Sequence, residues 1–336
     1  MKKILFFGAG VLGSLYAARL KQSGLDVTLL ARNTRLQDIK ERGIALEHAL
    51  SGERELVKIP VVEQLHENDG YDLIVVLVRK NQLASVLPLL ASHKATPNIL
   101  LMVNNPSGYA GWANAIGRER LVLGFAGAGG TLVGHVVRYV VVSRLLQPTT
   151  FGELDGSSSA RLKEIMRAFR SAGFPTAMTS NMDAWQKTHV AWISPLANAL
   201  YRVNCDNHVL ARSPDVVRLA IEAVREGFNV LRALGIPITP AKLRMWEWIP
   251  ESLLDRSLML WANTNHFRTV AVEHTAAAAD EMYQIAEEFR TLAVSASVAT
   301  PAIDELRSFI PIPDWIDANA QSPICNVSGF GAARWA

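Results

Sequence analysis

Cysteine is scarce in this chain, with Cys205 and Cys325 the only two among 336 residues. They lie far apart and match no metal-ligand spacing, which excludes a disulfide scaffold or a zinc module and leads us to expect no metal and a reducing, cytoplasmic setting. Cys205 reads as a small apolar packer and not as a nucleophile. An excess of one charge sign is missing too. The 34 Lys and Arg nearly balance the 31 Asp and Glu, for a net charge of +3, and no basic stripe with interleaved aromatics suggests nucleic-acid binding. No uninterrupted apolar run reaches the length of a membrane span. The stretch 121–142 is poor in charge, but Gly124, Gly127, Gly129, Gly130 and Gly134, with His135 and Arg138, break it into strand, loop and strand. Two lysines before an apolar run ending near Tyr16-Ala17-Ala18 imitate a signal peptide, and the glycine spacing inside that run argues against one. Internal repeats and low-complexity tracts are absent. The length leaves room for two sizeable cores.

What is present begins at the first strand. Ile4-Leu5-Phe6-Phe7 runs into Gly8-Ala9-Gly10-Val11-Leu12-Gly13, an amphipathic segment with Leu12, Leu15 and Leu20 follows, and Gly24 ends it before a second strand at 26–32. Strand, tight glycine turn and helix form a dinucleotide cradle: the first glycine permits the turn, the second admits a pyrophosphate and the third lets helix meet strand. At the end of the second strand an NAD site would place an acid on the ribose. This chain has Arg32, Asn33 and Arg35 there, so NADP(H) is expected, with Arg32 on the 2′-phosphate.

In the first half, β-rich runs at 73–78, 99–103 and 121–125 alternate with helical segments. That alternation predicts an α/β fold with a Rossmann-type, doubly wound parallel sheet. Residues 136–142 and 149–152 read as antiparallel strands closing it, and Gly156-Ser157-Ser158-Ser159 turns into a helix near 160–171. From Asn181, a capping residue, the pattern is helical throughout. Ser213-Pro214-Asp215 opens a helix whose stripe of Val217, Ile221, Val224, Phe228 and Leu231 ends before Gly235. We therefore expect a dinucleotide-binding domain over 1–180 and an all-helical domain over 181–336.

In such a sheet the ligand lies beyond the carboxyl ends of the strands. Arg32, Arg79-Lys80-Asn81-Gln82 and Asn104-Asn105-Pro106 each follow a strand there. In the helical half, Trp185, Trp192 and Leu196 share one face, while Lys187, Ala191, Ser194 and Asn198 share another made of small and polar residues. Periodicity alone leaves Lys187 either solvated or facing a cleft. Glu281, in a later helix that carries Met282, Ile285, Phe289 and Leu292 on one face, is equally open to a surface reading.

These residues together resemble the ketopantoate reductase (2-dehydropantoate 2-reductase) family over nearly the whole length. The glycine motif, Arg32, Val78-Arg79-Lys80-Asn81-Gln82, Asn105, Gly152-Glu153, Trp185-Gln186-Lys187 with Pro195-Leu196, and Glu281 before Thr300-Pro301 fall in family order. The resemblance implies that Lys187 is the catalytic lysine, that Glu281 is the carboxylate beside it, and that Asn105 stands between cofactor and substrate. Gly8, Ala9, Gly10, Val11, Leu12, Gly13, Arg32, Gln82, Asn105 and Gly130 would then contact the cofactor. Arg79 holds the position of a cofactor lysine, with Lys80 the alternative after a shift of one. Ser194, Asn198, Asn204 and Thr269 fall near substrate positions.

The departures concern the substrate. Ala191 stands where the family carries a gripping asparagine, Ser194 replaces a second asparagine with the spacing one residue shorter, and Pro106 follows Asn105 where glycine is usual. The expected activity is NADPH-dependent hydride transfer to a small 2-oxo acid, with Lys187 supplying a proton. Two rivals are a reductase of another carbonyl or imine on the same scaffold and a non-catalytic NADP(H) sensor. No membrane partner is expected. The tail Ile310-Pro311-Ile312-Pro313-Asp314-Trp315 covers either the body or a partner chain, so a homodimer stays open.

Overall fold

Ile4, Leu5, Phe6 and Phe7 are all buried, so both faces of their strand are covered, as in the middle of a parallel sheet. This computed structural model describes residues 3–313. Cys325 and the tail from Asp314 lie outside the described residues. The first strand, β1 (Lys3–Phe7), leads through the glycine turn into α1 (Val11–Gln22), and β2 (Asp26–Leu30) returns parallel to it. α2 (Asn33–Arg42) precedes three short strands, β3 (Ile44–His48), β4 (Arg54–Val57) and β5 (Val61–Val62). β6 (Leu73–Val76), α3 (Lys80–Ser92), β7 (Ile99–Leu101), α4 (Ala110–Ile116) and β8 (Leu121–Phe125) continue the alternation. β9 (Ala128–Val133), β10 (Val136–Val141), β11 (Thr149–Gly152), α5 (Ala160–Ser171) and β12 (Thr176–Met178) complete the strand-bearing half.

Eight strands form the main sheet in the order β12-β11-β8-β7-β6-β1-β2-β5. It is parallel from β5 to β8, whereas β11 runs antiparallel to β8 and carries β12 parallel to itself. The order reverses at β1, which has β2 on one side and β6 on the other. A crevice therefore opens beyond their carboxyl ends, where a ligand site belongs.

Two strand readings are corrected. Residues 136–141 do not close the main sheet: β10 pairs antiparallel with β9 and parallel with β3 in a separate sheet of order β4-β3-β10-β9. The pairing of Val136 with Ala45 joins distant parts of the chain, which local periodicity does not encode. β2, β6 and β7 also stop at Leu30, Val76 and Leu101, before the ends that patterning suggests. The residues after them leave the ladder to form the crevice edge.

Every regular element after β12 among the described residues is helical. They are α6 (Met182–Arg202), α7 (Asn207–Leu210), α8 (Pro214–Ala233), a 3-10 turn (Ala241–Arg244), α9 (Met245–Trp248) and α10 (Glu251–Ala262). After these come α11 (Asn265–Phe267), a π-helical turn (Arg268–Val272), α12 (Glu273–Ala277), α13 (Ala279–Ala296) and α14 (Pro301–Arg307). Asn181 caps α6, its Oδ1 accepting from the Ala184 N–H at 2.9 Å. Ser213 does not cap α8 in this way, because its hydroxyl donates back to the Val209 carbonyl. The predicted stripe of α8 is fully buried. At about 1.5–3 kcal/mol for each large apolar side chain removed from water, it anchors the helical core. No helix of the described residues is long and apolar enough to cross a membrane.

Candidate active site

The glycine turn is built so that only glycine fits at two of its positions. Gly8 has φ +112°, and a Cβ there would lie 2.4 Å from the Leu77 carbonyl oxygen. A Cβ on Gly13 would fall 1.9 Å from the Gly8 carbonyl oxygen. Gly10 faces open space and supplies no side-chain cap to α1. The first N–H groups of α1, on Val11, Leu12 and Gly13, thus have no intrahelical acceptor and sit at the positive end of the helix dipole. A pyrophosphate fits this cradle.

Two arginines stand at the end of β2. Arg32 is exposed and lies 6.0 Å from the centre of the Phe7 ring. Arg35 reaches back to the turn: Nε donates to the Ala9 carbonyl at 3.3 Å and Nη2 to the Ser14 hydroxyl at 3.1 Å. Burial lowers the pKa of the Arg35 guanidinium, partly offset by Asp38. With no acid between Ala31 and Arg35, the residues present suit a 2′-phosphate better than a free ribose hydroxyl.

Beyond β6 the chain separates Arg79 from Lys80. Arg79 caps α3 and turns to α13, donating to Asp280 at 3.0 Å and to the Ala277 carbonyl at 2.5 Å. Gln82 closes that cap, accepting from the Arg79 N–H. Against the burial that raises it, the Asn81 amide and the Arg79 guanidinium hold the Asp280 carboxyl below its ordinary pKa. Lys80 points inward. Its Nζ lies 2.8 Å from Asn105 Oδ1 and 3.2 Å from Glu288 Oε2, above the Trp112 ring. Burial pushes the Lys80 pKa down, while Glu288 and Glu281 pull it up.

The loop at 104–108 holds the rest together. Glu281 is 4% exposed and accepts from the Asn104 side-chain amide at 3.1 Å and the Lys80 N–H at 3.2 Å. Asn105 is fully buried and donates to the Gly108 carbonyl at 2.7 Å. Lys187 forms an ion pair with Asp183, one helical turn back, at 2.5 Å, and its Nζ lies 3.9 Å from where a Gly108 Cβ would be. Gln186 pins α6 to this loop, accepting from the Asn105 N–H and donating to the Val103 carbonyl. An ammonium on one flank of a buried amide and a carboxylate on the other can stabilise developing negative charge and move a proton.

Other predicted residues lie elsewhere. Gly130 sits in β9, where a Cβ would meet the Arg138 carbonyl oxygen at 2.2 Å, so its place in the β9–β10 pair by itself demands glycine. Ala191, Ser194 and Asn198 do not face an open cleft. They are buried on a crevice walled by Val190, Phe289 and Leu306, with the Asn198 amide 3.5 Å from the Ser194 hydroxyl. Helical spacing places residues on one face without revealing what covers that face, and here α8, α13 and α14 do. Asn204 is exposed beyond the end of α6, with φ +52°. Thr269 is buried in the π-helical turn, its hydroxyl donating back to the Asn265 carbonyl. Among the described residues neither shares a hydrogen bond with Lys187 or Glu281. Sequence reasoning also missed Asp183, Gln186 and Glu288, although the four-residue step from Asp183 to Lys187 and the seven-residue step from Glu281 to Glu288 carried the signal.

Residues 4–156 match the family model for Ketopantoate reductase PanE/ApbA. Over these residues the chain is similar to the ketopantoate reductase family. The chain is 25% identical over 258 residues to the 2-dehydropantoate 2-reductase of Pyrococcus horikoshii, covering 72% of this chain and 78% of that one. It is 27% identical over 248 residues to the enzyme of the same name from Archaeoglobus fulgidus, covering 70% and 76%. Among solved structures, a putative ketopantoate reductase from Ralstonia solanacearum MolK2 superposes with a TM-score of 0.73 at 18% identity, covering 92% of this chain and 97% of that one. D-mandelate dehydrogenase with NADH and anilino(oxo)acetate gives a TM-score of 0.72 at 18% identity, covering 92% and 96%. The fold of ketopantoate reductases, Rossmann-type sheet and helical domain together, thus extends over the described chain, and the family is one of oxidoreductases.

Proposed function

We propose that the protein is an NADPH-dependent reductase of a small 2-oxo acid, and that this acid is not ketopantoate. The observation that carries the reading is the 104–108 loop, which has Lys187 beside Gly108 and Glu281 on Asn104. Gly8, Ala9, Gly10, Val11, Leu12 and Gly13 would hold the pyrophosphate, and Arg32 with Arg35 the 2′-phosphate. Lys80 and Asn105 would keep the nicotinamide end in register, while Gln82 fixes the start of α3. The bound nicotinamide supplies the hydride. Lys187 stabilises the charge growing on the carbonyl oxygen and donates a proton to it, a role worth about two to four orders of magnitude in rate. Asp183 keeps the Lys187 side chain extended along α6 toward the loop. Glu281 orients Asn104 and the start of α3, or receives a substrate hydroxyl. In this reading the half up to residue 180 carries the cofactor and the helical half after it brings the lysine and the carboxylate.

The substrate claim rests on what surrounds Ala191. Ser194 and Asn198 are turned into the helical core and Ala191 has no donor, so a polar substrate tail finds little to bind on this face of α6. A missing hydrogen bond costs about 0.5–1.5 kcal/mol, and more where the substrate group is left buried and unpaired. The aromatic oxo acid bound by the D-mandelate dehydrogenase neighbour favours the same direction. NADPH oxidation measured against ketopantoate and a panel of branched and aromatic 2-oxo acids tests the proposal. A branched or aromatic acid should lead in kcat/KM. A lead for ketopantoate restores the family activity, and tight NADPH binding without oxidation by any acid favours the sensor reading.

A further inference from the structure

We propose a second small-molecule site on the side of α6 opposite Lys187, for an anion with a flat apolar body, of which an aromatic carboxylate is the simplest example. A cavity of about 400 Å³ lies there between α6, the edge formed by β11 and β12, the loop at 142–148 and the segment 239–243. That volume falls within the range of small-molecule sites, roughly 300–1,000 Å³. Lys187, Glu281, Asn105 and the glycine turn take no part in its walls. On a helix, residues 185, 189 and 192 point roughly half a turn away from residue 187, so the helix that carries the lysine separates the two places.

The wall on α6 is aromatic. Trp185 and His189 are stacked, with ring centres 5.4 Å apart and an interplanar angle of 6°, and Trp192 stands edge-on to His189. Burial, with a smaller contribution from His274, lowers the His189 pKa to about 3, so at neutral pH this ring is an uncharged flat surface. The Trp192 Nε1 donor is buried and has no partner, an unmet demand in a cavity wall.

Charge at the cavity is of one sign. Arg144 and Lys242 line it and no carboxylate does. The Lys242 Nζ is held only by the carbonyls of Leu145 and Leu146, and burial lowers its pKa with no acidic neighbour to oppose the shift. Arg144 is exposed and has no ion-pair partner among the described residues. Leu145, Leu146 and Met178, on the same cavity, are 85%, 58% and 47% exposed. Apolar side chains left in water around a cation-lined cavity are what a flat organic anion would cover.

Calorimetric titration of the full chain with indole-3-acetate tests this, because that acid has no carbonyl beside its carboxylate to be reduced. We expect saturable binding of one molecule per chain, at least about tenfold tighter than for neutral indole-3-acetamide. The double variant Arg144→Gln, Lys242→Gln should bind the acid no better than the amide. Lys187→Ala should bind it as the parent does, whatever becomes of the reductase reading. Absence of saturation up to about 10 mM, equal affinity for acid and amide, or loss of binding in Lys187→Ala each overturns the proposal. So does self-association that buries Leu145 and Leu146 and leaves the acid unbound.

Discussion

The Lys80 ammonium lies 2.8 Å from the Asn105 side-chain oxygen and spans the gap between the ends of β6 and β7. Its second partner, Glu288, belongs to α13, so one side chain fastens the helical domain to the sheet. Lys80→Met should leave Glu288 partly buried without its cation. Breaking a buried pair costs about 3–5 kcal/mol, and the partial exposure of Glu288 lowers our expectation to about 2–3 kcal/mol. Urea unfolding measures it. Arg79→Met should cost less, because the Arg79 side chain is 40% exposed, and equal losses would contradict this ranking.

Lys187→Ala should bind NADPH nearly as the parent does and turn over its best 2-oxo acid about two to four orders of magnitude more slowly. Glu281→Ala should have a smaller effect on turnover. Steady-state kinetics beside NADPH titration separates the two quantities. Undiminished turnover in Lys187→Ala would assign the proton to another group.

The two arginines should behave differently. Arg32 is exposed and makes no hydrogen bond to the turn, so Arg32→Ala should weaken NADPH binding by roughly 1.5–3 kcal/mol and leave NADH binding unchanged. Arg35 also supports the Ala9 carbonyl and the Ser14 hydroxyl, so Arg35→Ala should weaken both cofactors. Titration of NADPH and NADH against parent and variants is the measurement. Equal affinity of the parent for both would remove the 2′-phosphate assignment.

His189 sets a pH dependence of stability. Its folded pKa of about 3 lies below the ordinary 6.5, so between these values the unfolded chain takes up a proton that the native protein refuses. Stability is therefore full above about pH 6.5 and falls as the pH drops, with a limiting slope of about 1.4 kcal/mol per unit. Urea unfolding at pH 7 and pH 5 should show the decline, and His189→Phe should flatten it. An unchanged slope in that variant would mean that other groups dominate.

Much of this was legible in the sequence wherever the determinant was local. The Gly8–Gly13 turn, the Asn181 cap and the buried stripe of α8 each depend on residues a few positions apart, and all three form as patterning predicts. Long-range partners were not legible. β10 lies against β3 because of a tertiary pairing, and Glu281 became a buried acceptor only because α13 packs over the start of α3. The pairing of Arg79 with Asp280, two hundred residues away, was likewise out of reach of local patterning. Ser194 and Asn198 shared a face with Lys187 as expected, but the face curves into the core within a turn of the lysine.

Gly227 and Ala191 touch where α8 crosses α6: a Cβ built on Gly227 would lie 3.1 Å from both the Cβ and the carbonyl oxygen of Ala191. The two positions are therefore sterically coupled. The asparagine that the family resemblance places at this point of α6 needs more room than the present contact between these helices leaves. The single substitution Ala191→Asn should push an amide into a tight apolar seam, at a typical overpacking cost of about 1–3 kcal/mol, before it could contact any substrate. With α6 and α8 closed together at this point, a polar group meant for a substrate has to be carried by an element other than this part of α6.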